Sequence, residues 1–174
     1  MTQSDSTSPA PVYVAKTFWT PRRVARMAIF TALAAVGALI KIPSPTGTVA
    51  LDSGPGYFSA VSFGWLEGGI VAALGHMLTA ATTGFPLTVP IHLIIAAEQF
   101  LWAAVFWLVQ DKVNIWVAIV VATFCNGVVG DLITIPLGGM GMFISFLPSL
   151  IVGSAVNIIL AALAYLIVKR SKLI

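Results

Sequence analysis

MFISFLPSLIVGSAVNIILAALAYLIV, residues Met142 to Val168, runs for twenty-seven positions without a single charge. A helix rising 1.5 Å per residue needs ~20 apolar residues to cross ~30 Å of hydrocarbon. This stretch exceeds that length, and Lys169, Arg170 and Lys172 follow it. The rest of the chain has the same character. Of 174 residues, 59% are hydrophobic and 9% charged, whereas a soluble domain runs nearer ~45–50% and ~25%. That composition excludes an ordinary soluble enzyme, a disordered chain, collagen and a coiled coil. The balance of nine basic to six acidic residues, +3 overall, is too small and too dispersed for a nucleic-acid platform. A single cysteine, Cys125, excludes an internal disulfide and a thiolate metal cluster. The length allows one domain.

Working back from the last run, apolar stretches are separated by charge, Pro and Gly. They predict spans over Val24–Ile40, about Pro55–Trp65, Gly68–Thr83, His92–Val109, Val113–Ile135 and Met142–Val168. The fold class is therefore an all-α integral membrane protein of six transmembrane helices, occupying residues 21–174. Residues 1–20 form a separate N-terminal tail, rich in Ser, Thr and Pro over Met1–Pro11 and expected to be flexible. Lys16, Arg22, Arg23 and Arg26 precede the first span, Lys112 lies between the fourth and fifth, and three bases follow the sixth. With an even span count, only Lys41 of the nine bases falls on the opposite side, so both termini are expected in the cytoplasm. Trp19, Trp65, Trp107 and Trp116 then collect at the cytoplasmic edge.

The outer connections differ from the short inner ones. They concentrate Pro and Gly, and Lys41 to Gly54 is fourteen residues, a length more typical of lids and binding loops than of turns. Polar residues within spans default to function. Counting inward at 1.5 Å per residue puts Glu98 ~10 Å, Asp131 ~6 Å and Asn126 ~14 Å below the outer surface. His76 and Thr79 lie in the outer half of the third span, Asn157 near the bilayer centre. His92 and Gln99 share one face of the fourth span, Glu98 and Trp102 the adjacent one. Such a mixture of an indole with scattered donors and acceptors suits a neutral or weakly charged organic ligand. The alternative is interhelical glue, worth ~0.6 kcal/mol per bond. Asp131 and Asp52 also suit helix caps or loop braces.

Catalytic and metal motifs do not appear: there is no His-Glu-x-x-His, no Gly-x-Ser-x-Gly and no phosphate loop. Neither inverted repeats nor a filter sequence is visible. The first span carries Ala28-Ile29-Phe30-Thr31-Ala32, a small-xxx-small pair widened by Ala25 and Ala35, which lets another helix approach closely.

Together the six spans, the inside termini, the Ala28–Ala32 motif and the long outer first loop resemble the substrate-binding S components of energy-coupling factor (ECF) vitamin transporters. The likeness covers about residues 20–172. It implies a vitamin-binding, non-enzymatic subunit of an ABC-type importer in the bacterial cytoplasmic membrane, with no cofactor. It also implies partnership with an ECF module of one transmembrane coupling subunit and two ATPases, docked through Ala28 and Ala32. The loops Lys41–Gly54 and Gly84–Pro90 would cover the ligand. Candidate substrate contacts are Thr48, Asp52, Ser53, His76, His92, Glu98, Gln99, Trp102, Asn126, Asp131 and Asn157. The segment Lys41–Ser53 and the pair Gly75-His76 are similar to members assigned to cobalamin or its α-ribazole precursor. Pantothenate, hydroxymethylpyrimidine, folate and queuosine-precursor members share the scaffold. A membrane assembly subunit, and more remotely an intramembrane enzyme, are the readings from other classes.

Overall fold

A computed structural model describes residues 18–172. The expected tail Met1–Pro11 lies outside the described residues. Six α-helices follow in order: α1 Pro21–Gly37, α2 Gly54–Phe63, α3 Trp65–Thr82, α4 Val89–Lys112, α5 Ile115–Phe124 and α6 Ile135–Arg170. A π-helical turn, Cys125–Val129, and a 3-10 turn, Gly130–Thr134, join α5 to α6. Among the described residues no strand forms; a lone antiparallel bridge links Lys41 and Ala50. The all-α expectation holds.

Two helical stretches, Val89–Lys112 and Ile115–Arg170, the second broken at Gly138 and Gly139, are long and apolar enough to cross a membrane. By contrast α1 and α2 are shorter, and α3 is diluted by Glu67, His76 and three glycines. Local chemistry sets several starts. Thr20 caps α1 by accepting from the Arg23 amide at 3.3 Å, with Pro21 at the first helical position. Asn114 caps α5 by accepting from Val117 at 2.9 Å.

Consecutive helices run antiparallel, as their closest pairs show. At Gly64, with φ at 125°, α2 turns into α3, and a Cβ on Gly68 or Gly56 would overlap Ala60 or Ala72 respectively. Those two pairs sit symmetrically about residue 64, so α2 and α3 are in backbone contact along a strip of small residues. Around the next two corners His76 meets His92, and Gln99 meets Asn126. The last reversal occurs at Gly138 and Gly139, whose backbone is non-helical, and it lays Gly127 against Ile151. The sequence places that break across Pro136–Gly141. It is narrower, because Pro136 sits at a helix start, where its missing N–H costs nothing.

The second predicted span, about Pro55–Trp65, is as short in the structure as in the sequence. Its helix has only ten residues, ~15 Å at 1.5 Å per residue, half of a bilayer crossing. The preceding loop packs into the bundle before it. It begins as a hairpin, with Ile42 donating to Val49 at 2.9 Å and Leu51 to Ile40 at 3.1 Å. It then descends among the helices instead of lying across them. Asn157 of α6 pins its end: Oδ1 accepts from Gly54 at 2.7 Å, and Nδ2 donates to Ala50 at 2.8 Å and Gly153 at 2.9 Å. Room for this comes from glycines: a Cβ on Gly37, Gly75 or Gly153 would collide with Leu51, Asp52 or Val49. Around Tyr57, Phe106, Ile158 and Tyr165 the apolar core fills the other end of the bundle.

Candidate binding cavity

Where the loop enters the bundle, it, the second loop, α3, α4, the two turns and α6 line a cavity of about 690 Å³, the open solvent at its mouth included. Nine of the eleven candidate contacts line it: Thr48, Asp52 and Ser53 from the first loop, His76 from α3, Glu98 and Gln99 from α4, Asn126 and Asp131 from the two turns, and Asn157 from α6. Leu87 of the second outer loop, with Ile95, Ile133, Phe146 and Leu150, forms the apolar part. Two expectations are corrected. His92 is fully buried behind His76, because its ring faces α3 and the second loop. Trp102 packs among core residues against Gly130, outside the lining.

Several lining groups also brace the fold. Gln99 Nε2 donates to Asn126 Oδ1 at 2.8 Å, tying α4 to the π-helical turn. Thr79 donates to Asp52 at 2.5 Å, fixing the loop on α3. Thr134 donates to Asp131 Oδ1 at 3.2 Å, while Asp131 Oδ2 is buried without a partner. Ser154 Oγ, also in the lining, is likewise buried and unpartnered.

Comparison with known proteins agrees with this architecture. The family model for the ECF transporter, substrate-specific component, matches residues 22–169. The chain belongs to the ECF substrate-specific component family. Its fold is also similar to that in a solved structure of the S component of a bacterial ECF transporter, at TM-score 0.57 and 20% identity over 86% of this chain and 94% of the other. None of the curated proteins matches it. S components are membrane-embedded, substrate-binding transport subunits that associate with an ECF module of ATPases and a coupling subunit, and they are not themselves enzymes.

In this S component α1 contributes nothing to the cavity. Its inner face, Ala34, Gly37 and Ala38, is buried, whereas Ala28 and Ala32 are exposed on the opposite face. The small-residue strip is thus divided between two jobs of different kind, close packing inward and an open surface outward.

The two histidines form a chain whose tautomers can be assigned. Leu87 N–H donates to His92 Nε2 at 3.4 Å, so in the neutral ring the proton is on Nδ1. His92 Nδ1 lies 3.1 Å from His76 Nε2 and donates to it, leaving the His76 proton on Nδ1. That N–H has no protein acceptor among the described residues, and His76 lines the cavity. The chain holds only two histidines, so their ring nitrogens can be observed directly. Nitrogen-15 NMR of histidine-labelled protein is expected to show both rings protonated at Nδ1 alone. In His92→Ala the His76 ring is expected to lose that preference; an unchanged His76 spectrum would show that His92 does not fix it.

Some of the lining was not legible in the sequence. Ser154 sits in a long apolar run with no polar residue directly beside it to single it out. The π-helical turn, a feature often found at functional sites, aims Asn126 into the cavity and has no marker beyond Gly127 and Gly130. Those glycines let the turn approach Ile151 and Trp102 closely.

Proposed function

We propose that this chain is the vitamin-capturing S component of an ECF importer, with six crossings and both ends in the cytoplasm. The observation that carries this reading is a mixed polar and apolar cavity, walled by the first outer loop, lying wholly apart from the outward strip on α1. Binding and docking thereby occupy separate surfaces. The alternation of helix direction supports the topology, with the descending loop and α2 together making the second crossing. Exposed Trp19, Trp65 and Trp116 suit the cytoplasmic interface. An assembly subunit whose polar groups are only glue is favoured by the Gln99–Asn126 bond and the Asn157 contacts. It leaves the unpartnered Asp131 and Ser154 atoms unexplained.

Transport separates these readings. The purified chain in liposomes is expected to bind ligand but accumulate none, and to accumulate it with ATP once the coupling subunit and ATPases are added. Concentrative uptake by the chain alone would instead indicate a secondary carrier, and no ligand binding at all would leave the assembly subunit.

A further inference from the structure

Charge is distributed unevenly between cavity and surface. Asp52, Glu98 and Asp131 line the cavity, and none of its lining residues is Lys or Arg. Lys41, the base whose charge reaches Asp52, is engaged with Thr82 at 3.2 Å. Of the other bases, Arg23 and Arg26 are held by Glu67 at the far end of α3. An anion entering the cavity would lose its water and meet carboxyl groups with no cation to receive it. The lone pairs point the other way. Asp131 Oδ2 is buried with no donor to satisfy it, and so is the amide oxygen Oε1 of Gln99, on α4. A carboxylate offers acceptors only, so Asp131 calls for an O–H or N–H brought by whatever fills the space.

Resting on the S-component reading, we propose that the cavity selects an uncharged or cationic molecule carrying several O–H or N–H donors, such as a hydroxylated riboside, and rejects carboxylate- and phosphate-bearing vitamins. The donors meet Asp131, Glu98 and Asp52, while the apolar ring system lies on Ile95, Phe146 and Leu150. Carboxylate rejection distinguishes between scaffold-sharing family members: pantothenate and folate are excluded, whereas α-ribazole, hydroxymethylpyrimidine and the queuosine precursor remain.

The test is calorimetric titration of the purified full chain with α-ribazole, α-ribazole 5′-phosphate, hydroxymethylpyrimidine, pantothenate and folate. The two ribazoles differ only in the phosphate, and the neutral one is expected to bind about a hundredfold more tightly or better, because like charges placed together cost several kcal/mol. Glu98→Gln and Asp131→Asn, made separately in case one fails to fold, are each expected to narrow that gap by about tenfold. Binding of hydroxymethylpyrimidine alone would support the selection rule while changing the ligand. If pantothenate, folate or the phosphate bound as tightly as the neutral probes, the rule would be overturned and the S-component reading would stand. Binding of none of the five would overturn the proposed choice of a riboside or pyrimidine ligand and leave the family assignment standing.

Discussion

Ala32→Leu is expected to abolish ATP-driven uptake by the assembled transporter while leaving ligand affinity of the isolated chain within about twofold of wild type. Helices associate in lipid through close packing, since lipid tails are as apolar as leucine and give no hydrophobic drive. Small side chains four residues apart provide that closeness, and Ala28 and Ala32 stand exposed on the outer face of α1. A leucine there holds a partner helix away along the whole contact. Affinity is spared because no α1 residue lines the cavity. Ala28→Leu is expected to behave alike, and Ile29→Ala, on the same exposed surface but removing bulk, should preserve uptake. Uptake assays with titrations of the same preparations check this. Loss of affinity together with uptake would assign the strip to the fold instead.

Replacing both Arg23 and Arg26 by Ala should destabilise the protein by ~3–5 kcal/mol, the usual cost of leaving a buried charge without its partner. Glu67 is 1% exposed, and its Oε1 receives Arg23 at 2.5 Å and Arg26 at 3.1 Å. Those contacts tie the start of α1 to the start of α3. The guanidinium groups are further held over aromatic rings, Arg23 over Phe18 at 4.0 Å and Arg26 over Phe63 at 4.4 Å. Each kcal/mol moves Tm by roughly 2–4 °C in a chain of this size, so a drop on the order of 10 °C is expected. Adding Glu67→Gln to the double variant should recover a large part of the loss, because a neutral amide is far cheaper to bury than a carboxylate. Thermal denaturation in detergent measures both. A double variant as stable as wild type would show that Glu67 has other compensation.

The long uncharged runs were enough to indicate an all-α membrane chain, and Pro and Gly marked where it turns. Sequence depth alone also brought His76, Glu98, Gln99, Asn126, Asp131 and Asn157 into one layer, since each residue along a helix advances by a fixed rise. Nine of eleven candidates do line one cavity. Depth says nothing of azimuth, however. Trp102 and His92 lie at suitable heights yet face the core and the second loop, a direction set by which neighbour each helix packs against.

The descent of the first loop was invisible for a related reason. Fourteen breaker-rich residues predict a long connection, but whether it covers the bundle or enters it depends on room at Gly37, Gly75 and Gly153, on three separate helices. Likewise Arg22, Arg23 and Arg26 counted equally toward topology, although two of them share a buried Glu67 forty-odd residues away. Composition and spacing determine lipid as the solvent, the helical class and the layer in which polar groups gather, because those follow from local hydropathy and helical rise. Only the tertiary structure decides which polar groups meet, which carboxylate is left without a donor and which alanines stay exposed, because those depend on contacts between segments far apart in the chain.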